Sequence, residues 1–174
     1  MSCDIAIGAN RGKVCDNTQG GVKNVYFFNF VDSAFTLTAR VCTALDGLTG
    51  KTVYKYVVEG DGNTFTENSV ADKKTGTKVN TQTLVAQLKK IDSATSIELD
   101  KLLSGKNSAV IEDYNGTYRW IAEDSFNVTS TAEAVTGGAR VDFNGYNVTL
   151  VAETLETSPT LDATTVTAFL ALVA

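Results

Sequence analysis

Near the N-terminus Cys3 and Cys15 bracket the string "GANRGKV", Gly8–Val14, which has the glycines and the Gly-Lys pair of a phosphate-binding turn. Such a turn requires G-x-x-x-x-G-K-[ST], in which backbone amides cradle the phosphates and the final hydroxyl holds Mg²⁺. Here Gly8 and Gly12 are one residue too close and Val14 replaces the hydroxyl. A Gly-Gly and an apolar run follow, not a helix, so a nucleotide cradle is set aside. With Cys42 the cysteines number three. They form no C-x-x-C pair, and the chain lacks histidine, the commonest metal ligand. Free or buried thiols are the expectation; a Cys3–Cys15 disulfide and a three-thiolate metal site remain alternatives.

Carboxylates offer a second chemistry. Glu112-Asp113 and Glu123-Asp124 flank an Asn115-Gly116 turn, and paired carboxylates across a cleft hydrolyse glycosides. Neighbours on a strand point to opposite faces, which favours solvated strand ends. Asp61, Asn63 and Glu67 are oxygen donors but lack the ligand series of a calcium loop. Tyr114, Tyr118 and Trp120 could stack on sugars, or pack across strands. Asn115, Asn127 and Asn147 open glycosylation sequons. Without histidine, no nucleophile, base and orienter assemble, so no catalytic residue, metal or cofactor is assigned.

The elements that would position these groups are mostly strands. The 174 residues fit one domain, 43% hydrophobic and 20% charged, with a single proline and a bias to Thr, Val, Ala and Asn. Net charge is −5, with no basic run, which disfavours tight binding to a phosphate backbone. Met1 leads straight into Ser-Cys-Asp, so no signal peptide is read. The most apolar run, "VTAFLALVA", is far shorter than the ~20 residues of a membrane span. A soluble protein made in a cytoplasm is expected.

Residues 1–24 are polar and Gly-rich and are read as an N-terminal arm. "VYFFNFV", a continuous apolar run, reads as a buried strand, and Asp32-Ser33 as a hairpin turn into "AFTLTARV". "TVYKYVVEG" gives another strand. Residues 61–82 form a long polar hairpin with the charged tip "ADKKTG". "DSATSIELDKLLSG" is read as the one helix, about residues 93–104, capped by Asp92 or Ser93, with Leu99, Leu102 and Leu103 as its apolar stripe and Gly105 as a left-handed stop. Asn115-Gly116 and Asn144-Gly145 predict two tight hairpins. Residues 25–158 then form a mainly β domain, an antiparallel sandwich or barrel with the helix at its side, and 159–174 a C-terminal arm.

The order "C…GANRGKVC…GGVKNVYF", "YKYVVEG", "TFTENSVADKKTGTKVNTQTLVAQLKKID", "SIELDKLLSG", "AVIEDYNGTYRWIAE", "VTGGARVDFNGYNVTLVAETLE" resembles small structural proteins of tailed bacteriophages infecting Bacteroidetes-type bacteria, over residues 2–158. It is similar to the phage tail-tube family. The resemblance implies a β-sandwich that assembles into stacked, hexameric rings, with the long hairpin touching the adjacent ring and no catalytic residues.

The expected function is therefore a virion structural subunit, with capsid decoration or a head–tail connector as the alternative and a carbohydrate-binding module more distant. Expected partners are the chain itself, other virion tail proteins, and DNA passing without specific binding; no membrane anchor is expected. Thr66, Asn68, Lys73, Lys74, Thr77 and Lys78 of the hairpin, and Phe169 and Leu170 of the apolar tail, are the candidate self-assembly contacts. An acidic Thr/Asn-rich wall repels phosphate, as a DNA conduit must.

Overall fold

The computed structural model describes residues 18–58, 60–123 and 128–174. The Gly8–Val14 string, Cys3, Cys15, Asp124, Asn127 and most of the expected N-terminal arm lie outside the described residues. Among the described residues the chain is mainly β, with two sheets and two short helices. In order the elements are β1 (Val22–Asn29), β2 (Thr36–Thr38), β3 (Val41–Ala44), β4 (Tyr54–Val57), β5 (Thr64–Asp72), β6 (Thr77–Lys89) and α1 (Ser93–Ser104). There follow β7 (Asn107–Asp113), β8 (Tyr118–Ile121), β9 (Val128–Val135), β10 (Gly145–Thr154), β11 (Thr160–Leu161) and α2 (Ala163–Leu170).

A seven-stranded sheet runs β2-β3-β11-β8-β7-β1-β4, and a four-stranded sheet runs β5-β6-β10-β9. Among the described residues both sheets have free edges, so the molecule is a sandwich and not a closed barrel. The larger sheet is covered twice. Val25 and Phe27 of β1 with Ala109 and Ile111 of β7 face Leu84, Ala86, Val148 and Leu150 of the smaller sheet, and Leu99 and Leu102 of α1 close that layer. Tyr26 and Phe28, Val110 and Trp120 face the other way, against Phe35, Leu48, Val53, Leu161 and Phe169. This is why "VYFFNFV" reads as an unbroken apolar run: period-2 alternation vanishes when both faces are dry. Each fully buried large side chain contributes about 1.5–3 kcal/mol.

Residues 159–174 are not an arm. β11 lies inside the larger sheet, parallel to β3 and antiparallel to β8. The chain then turns into α2, a second helix where one was expected. Asp162 caps it, accepting the Thr165 amide at 2.6 Å. β-branched Thr and Val read as strand, but a cap and an i, i+4 pair of inward residues, Thr165 and Phe169, settle the segment as a helix. The N-terminal boundary also shifts, because β1 already begins at Val22.

Turn chemistry accounts for the other departures. β1 pairs with β4 and β7, not with the segment after Asp32-Ser33. "AFTLTARV" instead breaks at Ala39 and Arg40, both at positive φ (50° and 63°), and hairpins as β2–β3. At Asn115-Gly116 only the glycine takes positive φ, 77°. The connection, residues 114–117, is tied by Gly116 N–H to the Asp113 carbonyl, a wider turn than the sequence predicts. Asn144-Gly145 forms no tight hairpin: β10 pairs with β9 across the loop 136–144. Gly145 is glycine for space, since a Cβ there would stand 2.0 Å from the Leu88 carbonyl oxygen. α1 spans the expected residues with Asp92 as its cap. Leu103 is exposed, and Gly105 is extended at φ −97°, not left-handed.

Candidate assembly interface

The long hairpin is β5–β6, joined by Lys73–Gly76 and in continuous register from Thr64↔Val85 to Asp72↔Thr77. Asp72 shapes its tip, accepting from the Lys74 amide at 2.8 Å while its carbonyl accepts from the Gly76 amide at 2.8 Å. β10 flanks β6 only as far as Asn80. Beyond that point residues 70–79 project as a two-stranded ribbon roughly 10 Å past the sheet. Val70 (58% exposed) and Val79 (41%) face each other across it.

The root of this ribbon is fixed. The inward face of β6 is apolar at Leu84 and Ala86 and becomes polar at Gln82 and Asn80, both fully buried. Gln82 donates to Glu67 Oε1 (3.1 Å) and Thr154 Oγ1 (3.2 Å), and accepts from the Ala122 amide (3.1 Å). Glu67 accepts from the Ser158 amide at 2.7 Å, and Asn80 donates to the Leu155 carbonyl at 2.8 Å. A buried polar network fully paired in this way holds one geometry, because each lost partner would strand a desolvated group. Arg40 adds a clamp nearby, with both Glu123 oxygens (3.1 and 2.6 Å) and the Thr157 carbonyl as acceptors.

Among the described residues nothing covers the outer face of the four-stranded sheet, which carries threonine in rows. Thr64, Val85, Thr149 and Thr131 stand side by side, then Thr66, Thr83, Val151 and Thr129. Glu133 and Glu153 share this face, and Lys89 stands at its far end. Among the described residues the sheet's two edges, β5 and β9, each pair on one side only. Along the β5 edge a groove of about 390 Å³ opens between the sheets, lined by Phe65, Glu67, Ile111 and Arg119.

The expected contact residues divide accordingly. Thr66 and Asn68 lie on the outer face of the free β5 edge, and Lys73, Lys74, Thr77 and Lys78 in the exposed tip. Leu170 is 39% exposed on α2. Phe169 is withdrawn as a contact: it is fully buried among Tyr26, Phe28 and Phe35 of its own chain. Strand β9, whose edge matters equally, escaped the sequence reading. Of its inward positions only Val128 is large; Ser130 and Ala132 are small and Ala134 is exposed, so hydrophobic alternation is slight. The polar residues at inward positions of β6, Asn80 and Gln82, were the legible sign of the root network.

The chemical candidates are occupied structurally. Trp120 is buried, its indole N–H donating to Ser108 Oγ at 2.6 Å, so the three-aromatic sugar platform does not exist. Glu112 accepts from Asn24 (2.6 Å) and Tyr26 (3.0 Å); burial and this carboxylate push the Tyr26 phenol up, keeping it a neutral donor. Asp113 caps the Asn115 turn, accepting from the amides of Asn115 (2.9 Å) and Thr117 (2.8 Å). Asn63 is buried, stapling Val58, Gly60 and Gln87, while Glu67 belongs to the hairpin root. Burial pushes the Cys42 thiol up to about 12, which leaves it unreactive. Among the described residues no cluster of metal-ligating side chains occurs, and no helix is long and apolar enough to cross a membrane. No family model, curated protein or solved structure matches the chain.

Proposed function

We propose that this chain is a non-enzymatic structural subunit of a tailed-bacteriophage virion, the tail-tube protein, which closes into rings that stack around a DNA passage. The observation that carries the reading is the pair of unpaired edges on one sheet. β5–β6, β6–β10 and β10–β9 are all antiparallel, so β5 and β9 run in opposite directions. When β9 of one copy is laid beside β5 of the next, the antiparallel alternation continues across the joint. Such a head-to-tail contact generates a ring when its rotation closes, and removes both edges at once.

Two further features support it. The small inward residues Ser130 and Ala132 of an added β9 suit the groove that opens along β5. The outer face, rich in threonine and bearing Glu133 and Glu153 with the cation Lys89 only at its far end, gives a passage wall little phosphate-binding charge. The hexameric count rests on the family resemblance.

The test is negative-stain microscopy of the purified protein at high concentration, with and without Val70–Val79 replaced by a two-residue turn. The cut spares the Glu67–Gln82–Ser158 network, so the monomer keeps its melting temperature. Tubes from the intact protein, with rings but no tubes from the shortened one, are expected. A monodisperse monomer overturns the reading, and attachment to preformed capsids without tubes would favour a decoration role.

A further inference from the structure

Independently of the ring reading, we propose that Asn115 is a hydrolytic modification site, converted by water to aspartate and isoaspartate, and that this conversion releases a clasp on the entry to β1. Asn115 precedes Gly116 in the exposed turn between β7 and β8. Its side chain grips the backbone of Gln19 with two hydrogen bonds. Oδ1 accepts from the Gln19 amide at 2.9 Å, and Nδ2 donates to the Gln19 carbonyl at 2.8 Å. The neighbouring Tyr114 ring lies against Gly21, where a Cβ would stand 3.2 Å from it. The Tyr114 hydroxyl also accepts from the Gly60 amide at 3.0 Å. This one turn thus holds residues 19–21, which form part of the wall of the groove along β5.

The chemistry is intramolecular. The Gly116 nitrogen loses its proton to solvent base and bonds to Asn115 Cγ; the Cγ–Nδ2 bond breaks and Nδ2 leaves as ammonia. Water then opens the five-membered imide. Cleavage of the new bond to Cγ gives aspartate, and cleavage of the original peptide bond gives isoaspartate. One water is consumed, one ammonia is released and nothing is oxidised. The attacking nitrogen must belong to a residue with no side chain in the way and a backbone free to swing. Gly116 meets both needs: a Cβ there would find nothing within 4 Å. The chain's other Asn-Gly pair, Asn144-Gly145, lacks the freedom. Gly145 is buried, paired with both β6 and β9, and without room for a Cβ. The clasp acts as a brake, because Asn115 Cγ turns toward Gly116 only when Gln19 lets go. Its two hydrogen bonds are exposed and open as surface contacts do, so they slow the reaction about a hundredfold at most. After conversion an oxygen replaces Nδ2. It repels the Gln19 carbonyl that Nδ2 had bonded, and also the Asp113 carboxylate, whose Oδ2 lay 3.5 Å from Nδ2. The clasp does not re-form, and the change runs one way.

The experiment incubates the full-length native protein at mildly alkaline pH and follows each Asn-Gly pair by peptide mapping, reading the mass gain of an amide-to-acid change and enzymatic methylation of isoaspartate. Asn115 should convert about tenfold or more faster than Asn144 in the folded chain, and at a similar rate once the chain is unfolded in denaturant. Gln19→Pro removes the amide that bonds Asn115 Oδ1 and should speed conversion about threefold to tenfold. Asn115→Asp places the product in the turn from the start. Its Gln19 amide should exchange with solvent about tenfold faster than in the native protein, with the thermal transition little changed. Equal rates at Asn115 and Asn144 in the folded chain overturn the site. An unchanged rate in Gln19→Pro, or unchanged Gln19 exchange in Asn115→Asp, overturns the clasp. None of these outcomes bears on ring formation, which microscopy tests separately.

Discussion

Phe169 meets Tyr26, Phe28 and Phe35 at ring-centroid distances of 5.5, 6.3 and 6.1 Å, and Phe35 in turn packs on Trp120 at 4.8 Å. One side chain from the last helix thus seals the aromatic layer beneath the larger sheet. Phe169→Ala should lower stability by about 3–5 kcal/mol through lost transfer energy and the cavity left behind, read as the urea midpoint at constant m-value. Leu170→Ala, next door but exposed, should change it by less than about 0.5 kcal/mol. The chemistry of these residues was legible in the sequence, but their addresses were not. Phe169 and Leu170 are adjacent letters, and only a capped helix decides which points inward. Asp162 and Asp92 make those caps. The Thr165 and Thr95 amides hold their carboxyls below the usual aspartate range. A depressed native pKa means that the unfolded chain binds protons first, so the caps' stabilisation is complete above about pH 4 and is lost as pH falls through the native values. Urea midpoints measured from pH 5 down to pH 3 should fall in the native protein, and fall less steeply in Asp92→Asn/Asp162→Asn.

β5 and β9 gain their importance as elements, through backbone groups that no side chain advertises. Successive residues of an edge strand aim their N–H alternately at the neighbouring strand and at solvent. Of Thr131→Pro and Ala132→Pro, one therefore removes a ladder bond to β10 and the other removes only an outward donor. The outward variant should keep the monomer's thermal transition and lose ring formation, as judged by sedimentation velocity. Rings of normal yield from a folded outward variant would exclude β9 as a joint. The elements themselves were unevenly legible. β6 and β10 announced themselves by alternating Leu84/Ala86/Leu88 and Tyr146/Val148/Leu150/Ala152, and α1 by its stripe and cap. β11 is two residues long and carries no periodicity, yet it bridges β3 and β8. β2–β3 turns on Ala39-Arg40, residues that propensity never places at positive φ. Tertiary bonds override that preference: the Arg40 carbonyl accepts from Thr160 N–H at 3.2 Å and its guanidinium grips Glu123.

For the whole molecule, the proposed tube turns on which face the assembly would present to nucleic acid. The chain's net charge is −5, and the outer face of the small sheet adds Glu133 and Glu153 to its threonine rows. A ring closed through β5 and β9 makes that face continuous from copy to copy. Such a wall holds polymer phosphate at a distance, because binding driven by counterion release needs cations in register with the backbone. Assembled native protein should leave duplex DNA freely mobile in a gel even at about 50 mM salt. Thr66→Lys, Thr129→Lys and Thr131→Lys place three cations on this face at exposed positions. Thr52→Lys, Ser104→Lys and Thr167→Lys change the net charge equally at exposed positions elsewhere. If the small sheet lines the passage, tubes assembled from the first variant in the presence of DNA should retain a nuclease-protected fraction. That fraction should fall with salt at a slope steepened by ~0.9 for each lysine–phosphate contact. The second variant should bind, if at all, only DNA that nuclease removes. Protection by the second variant and none by the first would place the threonine face on the outside of the assembly.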